Sequence, residues 1–150
     1  MDCFLNNPNL PTALIALLVA LITFNQYRVA KAKLKLDLFE RRFNIFHKAW
    51  TSLSEAVIDE SKIQQYGFWS PFNNDLHEAS FLFGKKVTKY LDKCVYQWNQ
   101  LRTYSIEKKS VPATPENIEK WTVLQMWFVE EAQVGCKKVF DPYLDFKNWK

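Results

Sequence analysis

The sequence predicts an all-α protein in which an N-terminal transmembrane helix continues into the long helix of a small antiparallel cytoplasmic helical bundle. Three observations predict this fold class. An uncharged apolar segment lies near the N-terminus, apolar residues recur behind it at helical spacing, and no stretch alternates as a strand does. The chain has 150 residues, and for this length we expect one compact domain.

The apolar segment has the length that a membrane-spanning helix requires. No charged side chain occurs in residues 3–27. Pro11 fits the first turn of a helix, where its missing N–H is not needed. Residues 11–27 reach the roughly 17 residues of a short span, and Arg28 extends from the end of the segment toward the aqueous side.

The charge distribution predicts the orientation of this helix. Residues 1–50 carry a net charge of +4, whereas residues 51–150 hold thirteen basic and thirteen acidic side chains. By the positive-inside rule, basic residues directly behind the span stay in the cytoplasm and the N-terminus faces out. They either set this topology alone or also attract anionic lipid headgroups. The residues concerned are Arg28, Lys31, Lys33 and Lys35.

A cleaved signal peptide and a buried core helix are the alternatives for this segment. A signal peptide would begin with a basic region, but the chain begins Met1-Asp2-Cys3. A core helix does not account for basic charge on one side only. We therefore predict an N-terminal tail and transmembrane helix over residues 1–28 and a cytoplasmic helical bundle over residues 29–150.

A long hydrophobic repeat predicts the first helix of the bundle. Apolar residues alternate by three and four positions, and neither Gly nor Pro occurs in residues 12–66, so the membrane helix is expected to continue without a break. The aromatic residues of the repeat favour an intramolecular bundle core, and self-association along the same face is the alternative. The repeat consists of Val29, Ala32, Leu36, Phe39, Phe43, Phe46, Trp50, Leu53 and Val57.

Two further helices are predicted behind an aromatic turn at residues 66–72. Asn or Asp at positions 73–75 is suited to cap a short helix, and Gly84 is suited to end it. A longer helix follows over residues 85–109.

The last helix has both start and stop signals. Thr114 is the expected N-cap, Pro115 the first helical residue and Glu116 part of the first turn. Asp141-Pro142 is expected to end the helix. Apolar faces carry Cys94 and Cys136, which we interpret as small core residues without a disulfide in a reducing compartment.

The aromatic turn is the candidate contact for a protein partner. It is either the lid of the bundle or a binding hot spot, because aromatic anchors dominate the energetics of interfaces. The residues are Tyr66, Phe68, Trp69 and Phe72.

A second cluster is the candidate contact for an anion. Lys86, Lys89 and Lys93 lie on one face of the longer helix. They form either a solvated face or a contact for a phosphate-bearing ligand.

Residues that carry chemistry are few and scattered. The three glycines are not clustered, which excludes a phosphate-binding glycine loop, and three cysteines and two histidines are too few for a recognisable zinc or haem site. His47 and His77 have no catalytic partners at helical or loop spacing. We therefore predict no cofactor, no metal and no enzymatic activity. The excess of basic charge lies directly behind the apolar segment and is not spread over a folded face. This distribution also argues against a DNA or RNA partner.

Three short motifs carry a resemblance to a protein group. They are Lys33-Leu-Lys-Leu-Asp-Leu-Phe-Glu-Arg-Arg-Phe43, Phe81-Leu-Phe-Gly84 and Tyr143-Leu-Asp-Phe146. With the order of parts around them, they resemble uncharacterised small bacterial single-span inner-membrane proteins with a helical cytoplasmic domain. The resemblance implies the bacterial inner membrane as location, with the bulk of the chain cytoplasmic, and it implies no activity. Lys85-Lys86 departs from the acidic or proline residue expected there.

These observations together favour a non-enzymatic, membrane-anchored interaction or accessory module with a single span. Its expected partners are the lipid bilayer and either another protein or further copies of the chain. The alternative is an oligomeric membrane-acting effector, for example in antiphage defence, whose bundle senses an anionic ligand or partner and perturbs the membrane. A pore would require several copies, because the membrane segment holds few polar residues.

Overall fold

The computed structural model describes residues 10–58, 72–110 and 114–145, and almost all of them are helical. Within these ranges there is no strand, which confirms the all-α prediction. The α-helices of this described part are α1 Leu10–Ile58, α2 Asn73–Phe83, α3 Lys85–Ser110, α4 Pro115–Glu130 and α5 Cys136–Leu144. A π-helical turn, Glu131–Gly135, joins α4 directly to α5.

Helix α1 contains 49 residues, and the prediction of a helix without a break is confirmed. Two compact units divide the chain, Met1–Leu38 and Phe39–Lys150, which we call the N-terminal and C-terminal units. In the N-terminal unit, every residue in the range 11–34 is exposed.

The C-terminal unit has a core of buried side chains to which all five helices contribute. Aromatic rings supply much of its volume, and several meet edge to face, a favoured arrangement for aromatic pairs. The core consists of Ile45, Ala49, Leu53, Ala56, Phe72, Ala79, Phe83, Val87, Leu91, Cys94, Trp98, Leu101, Phe128, Cys136 and Phe140. The prediction that both cysteines on apolar faces are core residues is confirmed.

Helix α1 enters this core with only part of the face that the hydrophobic repeat predicts: Leu53 is buried and Phe46 packs against the core, whereas Phe43 and Trp50 remain exposed. The core face includes Ala49, Leu53 and Ala56, which are 3%, 0% and 0% exposed. The expected core residues Phe43 and Trp50 are instead 44% and 42% exposed, so that part of the prediction is wrong. Because alanine is small, it leaves room beside α1, and larger side chains of the other helices fill this space in the core.

Two of the helix boundaries confirm the sequence signals. Gly84 ends α2 at φ +73°, a left-handed conformation that glycine adopts without steric cost. Thr114 is the N-cap of α4, and its side chain accepts a hydrogen bond of 3.3 Å from the Asn117 amide. Pro115 is the first residue of that helix.

Other boundaries differ from the predictions. Helix α2 already begins at Asn73, after Phe72, so the cap expected at positions 73–75 is absent there. The last helix continues through Pro142 to Leu144. Pro142 has no N–H to donate to the Lys138 carbonyl, so it removes one hydrogen bond near the end of the helix without ending it.

Candidate functional site

The first candidate site is the apolar part of α1. Leu17 and Leu18 are each 58% exposed, and none of residues 11–34 is buried. The Thr23 hydroxyl donates a hydrogen bond of 2.8 Å to the Val19 carbonyl, so this polar group is satisfied within the helix. In its length and composition α1 meets the requirements of a membrane-spanning helix.

The basic residues predicted behind this segment lie on the same helix. Arg28, Lys31 and Lys33 are exposed, and Lys35 is partly buried. Arg28, Lys31 and Lys35 share one helix face because they are three and four residues apart.

The predicted aromatic contact site falls mostly on residues that the structure does not describe. Tyr66, Phe68 and Trp69 lie outside the described residues. Phe72 is 2% exposed, and its ring lies 5.9 Å from that of Trp98 in an edge-to-face arrangement. Phe72 is therefore a core residue, and it is not accessible to a partner in this structure.

The predicted anion site lies on the surface of α3. Lys86, Lys89 and Lys93 are all exposed. The Lys93 ammonium lies 5.1 Å from the centre of the Trp127 ring on α4, within the range of a cation–π interaction. Lys93 therefore contacts α4, and Lys86 and Lys89 remain as exposed basic groups on this face.

Arg42 holds the ends of two helices, a role that sequence reasoning missed. Its Nε atom donates a hydrogen bond of 3.0 Å to the Leu82 carbonyl, and Nη1 donates one of 3.4 Å to the Tyr143 carbonyl. Both carbonyls lie in the last turn of a helix, where intrahelical donors are missing. The guanidinium also lies 5.8 Å from the Phe83 ring and 5.9 Å from the Tyr143 ring. Burial lowers the pKa of Arg42, and the nearby Tyr143 opposes this shift.

A polar contact between α3 and the π-helical turn was also missed. The Tyr90 hydroxyl donates a hydrogen bond of 2.8 Å to the Glu131 carboxylate. Burial is the main cause that raises the pKa of Tyr90, so this hydroxyl stays protonated and remains a donor. Tyr90 and Glu131 are 41 residues apart, and no local pattern in the sequence indicates their contact.

The two buried thiols lie near the same tyrosine. Burial raises the pKa of Cys94 and of Cys136 to about 12, while hydrogen bonding to Tyr90 acts in the opposite direction. Both thiols are therefore protonated at neutral pH and are weak nucleophiles. Both cysteines are therefore structural residues of the core.

The π-helical turn is hydrogen-bonded to α1. The Cys136 amide donates to the Glu131 carbonyl five residues earlier, as a π-helix requires. The Trp50 indole donates a hydrogen bond of 2.9 Å to the Ala132 carbonyl. A Cβ atom on Gly135 would overlap the Glu131 carboxylate, so a larger residue there would displace this carboxylate from the Tyr90 hydroxyl. This single glycine inside a helical pattern was the available sequence signal for the irregularity.

Exposed apolar side chains also line α4 and the π-helical turn. Val123, Met126 and Val134 are 62%, 67% and 59% exposed. Together with Trp127 they line a shallow groove that Glu130 borders. Sequence reasoning assigned these residues no role.

Metal-binding geometry is absent from the part of the chain that the structure describes. No three His, Cys, Asp or Glu side chains there are grouped closely enough to hold a metal ion. His47 and His77 are both exposed.

In the residues that the structure describes, the chain is all-helical and contains one helix that is long and apolar enough to cross a membrane. No protein-family model, no curated protein and no solved structure matches the chain.

Proposed function

We propose that the protein is a non-enzymatic, membrane-anchored interaction module with a single span. The N-terminal tail and span cover residues 1–28, and residues 29–150 form a helical bundle in the cytoplasm, with the bacterial inner membrane as the location. The observation that carries the proposal is the exposure of every residue of the apolar helix segment, residues 11–27.

The energetics of this segment favour a lipid environment. Between residues 14 and 24, eight large apolar side chains are each more than half exposed, and full burial of one such side chain stabilises by roughly 1.5–3 kcal/mol. Transfer of the segment into hydrocarbon would therefore stabilise it by about 10 kcal/mol or more. The eight residues are Leu14, Ile15, Leu17, Leu18, Val19, Leu21, Ile22 and Phe24.

The basic residues support an orientation with the N-terminus outside and the C-terminus inside. Arg28, Lys31 and Lys33 are exposed on α1 directly after the apolar segment, where the positive-inside rule places cytoplasmic charge. The function that follows is anchoring, in which the span holds the helical bundle and its protein partner at the membrane.

Membrane fractionation tests the anchoring. The full-length chain is expected in the membrane pellet after washing with alkaline carbonate. Leu17→Arg combined with Leu18→Arg is expected to shift it to the soluble or aggregated fraction, because each Arg near the centre of a span costs about 3 kcal/mol. Val123→Arg combined with Met126→Arg is the matched control, since these exposed residues lie outside the span. Release of the unchanged protein by carbonate would refute the proposal.

Reporter fusions test the orientation. A C-terminal fusion to a reporter that is active only in the cytoplasm is expected to be active, and one that requires export is expected to be inactive. Replacement of Arg28, Lys31, Lys33 and Lys35 by Gln should produce mixed orientations. An unchanged orientation would show that these residues do not set the topology.

A second candidate function is an oligomeric membrane-acting effector, favoured by the exposure of Lys86 and Lys89 on α3. In this function the two lysines contact an anionic ligand, and the helix that leaves the membrane transmits the response. Lys86→Glu combined with Lys89→Glu should then abolish ligand binding or toxicity. Wild-type toxicity in this variant would exclude the effector function at this site.

A further inference from the structure

The junction between α2 and α3 carries the most exposed large apolar side chain of the described ranges. Phe81, in the last turn of α2, is 89% exposed. Gly84, between the two helices, is also exposed, and no atom lies within 4 Å of the position that a Cβ atom would take there. The Phe81 ring therefore lies in water, and its transfer to an apolar environment outside the chain is favourable.

Three exposed lysines follow this ring in the first two turns of α3. Lys89 lies four and three residues beyond Lys85 and Lys86, so the three share one helix face. Within the described ranges none of them forms an ion pair, so their charges are not neutralised. Glu78 is the nearest acidic residue along the chain, and residues 78–89 carry three lysines and one glutamate, a net charge of +2. We call Phe81, Lys85, Lys86 and Lys89 the junction patch.

The junction patch lies at the end of the C-terminal unit where the chain enters that unit. The unit begins at Phe39, and Arg42 donates a hydrogen bond of 3.0 Å to the carbonyl of Leu82, the residue after Phe81. In the proposed topology Arg28 marks the end of the span, and the residues from there to Arg42 measure about 21 Å as a helix. The patch is therefore tethered near the headgroups of the leaflet that α1 leaves, and a slanted α1 brings it into contact with them.

The chemistry of the junction patch fits an anionic lipid surface. Aromatic side chains insert at the boundary between headgroups and acyl chains, and basic side chains are attracted by the anionic headgroups of the cytoplasmic leaflet. The two contributions act together when a ring and several lysines are neighbours along the chain, as they are here. A protein interface fits less well, because lysine is depleted in such interfaces.

We propose that the C-terminal unit makes its own contact with the membrane, in which Phe81 inserts at the lipid interface and the three lysines bind anionic headgroups. The inference deepens the proposed function, and it rests on that function for the leaflet involved. The contact adds to the span, because it fixes the helical bundle against the bilayer surface.

Quenching of a fluorescent dye by labelled lipids tests this contact. Full-length protein with Cys3→Ser and Phe81→Cys is labelled with a nitrobenzoxadiazole dye. It is reconstituted into phosphatidylcholine vesicles with about one third phosphatidylglycerol, with or without a lipid that carries a nitroxide near its headgroup. The chain with Cys3→Ser alone measures the background, which is expected to be low because Cys94 and Cys136 are buried.

The matched control carries the same dye at position 96. Tyr96 is 61% exposed, but it lines a cleft with Glu116 and Glu119. The nitroxide lipid should quench the dye at position 81 at least about threefold more than at position 96. Equal quenching at the two positions overturns the proposal. A dye at position 81 that neither the nitroxide lipid nor aqueous iodide quenches would show that a protein surface covers the patch, and it would overturn the proposal as well.

Two pairs of charge variants test the role of the lysines. In the Phe81→Cys protein, Lys85→Gln combined with Lys86→Gln should lower quenching at least about twofold, and so should vesicles of phosphatidylcholine alone. Lys137→Gln combined with Lys138→Gln removes the same charge from two adjacent exposed lysines of α5 and should leave quenching unchanged. Equal effects of the two pairs would overturn the assignment to the junction patch.

A dye at position 89 tests the ring itself. In full-length protein with Cys3→Ser and Lys89→Cys, Phe81→Ala should lower quenching at least about twofold, whereas Tyr96→Ala should leave it unchanged. Phe81 is 89% exposed, so its replacement does not disturb the core. Equal quenching in the two variants would exclude insertion of the ring and overturn the proposal.

Carbonate extraction of the same vesicles separates this proposal from the anchoring proposal. Quenching at position 81 in a chain that carbonate then releases would refute anchoring and leave the surface contact standing. A chain that carbonate does not release, with position 81 unquenched, would refute the surface contact alone.

Discussion

Removal of the Arg42 guanidinium should destabilise the C-terminal unit, because this side chain satisfies carbonyls at the ends of two helices. The bonds to the Leu82 and Tyr143 carbonyls measure 3.0 and 3.4 Å. In Arg42→Met the apolar stem remains and both donors are lost. The change therefore isolates the polar contribution from the packing of the stem.

The expected loss of unfolding free energy is about 2 kcal/mol. A hydrogen bond from a charged donor contributes about 1.5–3 kcal/mol. The hydrogen bond to the Leu82 carbonyl is expected to contribute near the low end of this range, because the guanidinium is only partly buried. The longer bond to the Tyr143 carbonyl is expected to contribute less. Arg42→Lys keeps the charge without the planar fork of donors, so we expect a loss of about 1 kcal/mol.

Urea unfolding of the full-length protein in detergent micelles, followed by circular dichroism, measures this loss. A loss of about 2 kcal/mol corresponds to a fall in melting temperature of about 8 °C for a unit of this size. Arg41→Met is the matched control, because the neighbouring Arg41 is exposed. A loss below about 0.5 kcal/mol for Arg42→Met would refute the assigned role, since surface substitutions stay within that range.

Three further predictions concern the core of the C-terminal unit. Leu53→Asp should abolish cooperative urea unfolding, because it places a carboxylate in the core, whereas Phe43→Asp should cost about 1 kcal/mol or less; equal losses would contradict the observed core face. Tyr90→Phe should cost about 1–2 kcal/mol in the same assay, because a carboxylate loses its donor; an unchanged midpoint would show that the bond does not stabilise the fold. Stability should also fall as pH rises from about 9 to about 12, since burial raises the pKa of Cys94 and Cys136 from 9.0 to about 12 and ionised thiols favour the unfolded chain. Replacing both cysteines by Ala should reduce this slope, and the part that remains above about pH 10 belongs to Tyr90, whose pKa burial also raises. An unchanged slope would show that the cysteines do not contribute to it.

Local signals in the sequence were sufficient to predict most of the helices. Gly84 and Thr114 act through their own backbone conformation or a hydrogen bond to a residue nearby, so their effects are readable from a few adjacent residues. The long α1 helix was likewise predictable, because neither Gly nor Pro follows Pro11 within it.

The choice of core face on α1 was not predictable from hydrophobicity alone. Apolar residues occupy much of the circumference of this helix, and of the larger ones Leu53 is buried whereas Phe43 and Trp50 are exposed. Burial of Ala49 and Ala56 depends on how closely the other helices approach, which is a property of the packed chain. The contacts of Arg42 and Tyr90 likewise join residues far apart in sequence.

Of the candidate sites, the sequence predicted position better than role. The basic residues Arg28, Lys31 and Lys33 are at the surface, and so are Lys86, Lys89 and Lys93 of α3, as their charge requires. Phe72 is in the core. The sequence could not establish this, because an aromatic side chain is equally suited to a core and to an interface, and only the fold distinguishes the two roles.

The π-helical turn has a consequence for insertions and deletions in this chain. At 100° per residue, Phe128 and Cys136 would lie about 80° apart on an unbroken α-helix, yet both are fully buried. The wider turn absorbs roughly one surplus residue and brings the two side chains back to one side. Deletion of Gln133, an exposed residue within the turn, would place Phe128 and Cys136 seven positions apart, which is about two α-helical turns. The shortened chain should therefore keep its core register, so this turn is the point in the last helix where a change of length is tolerated.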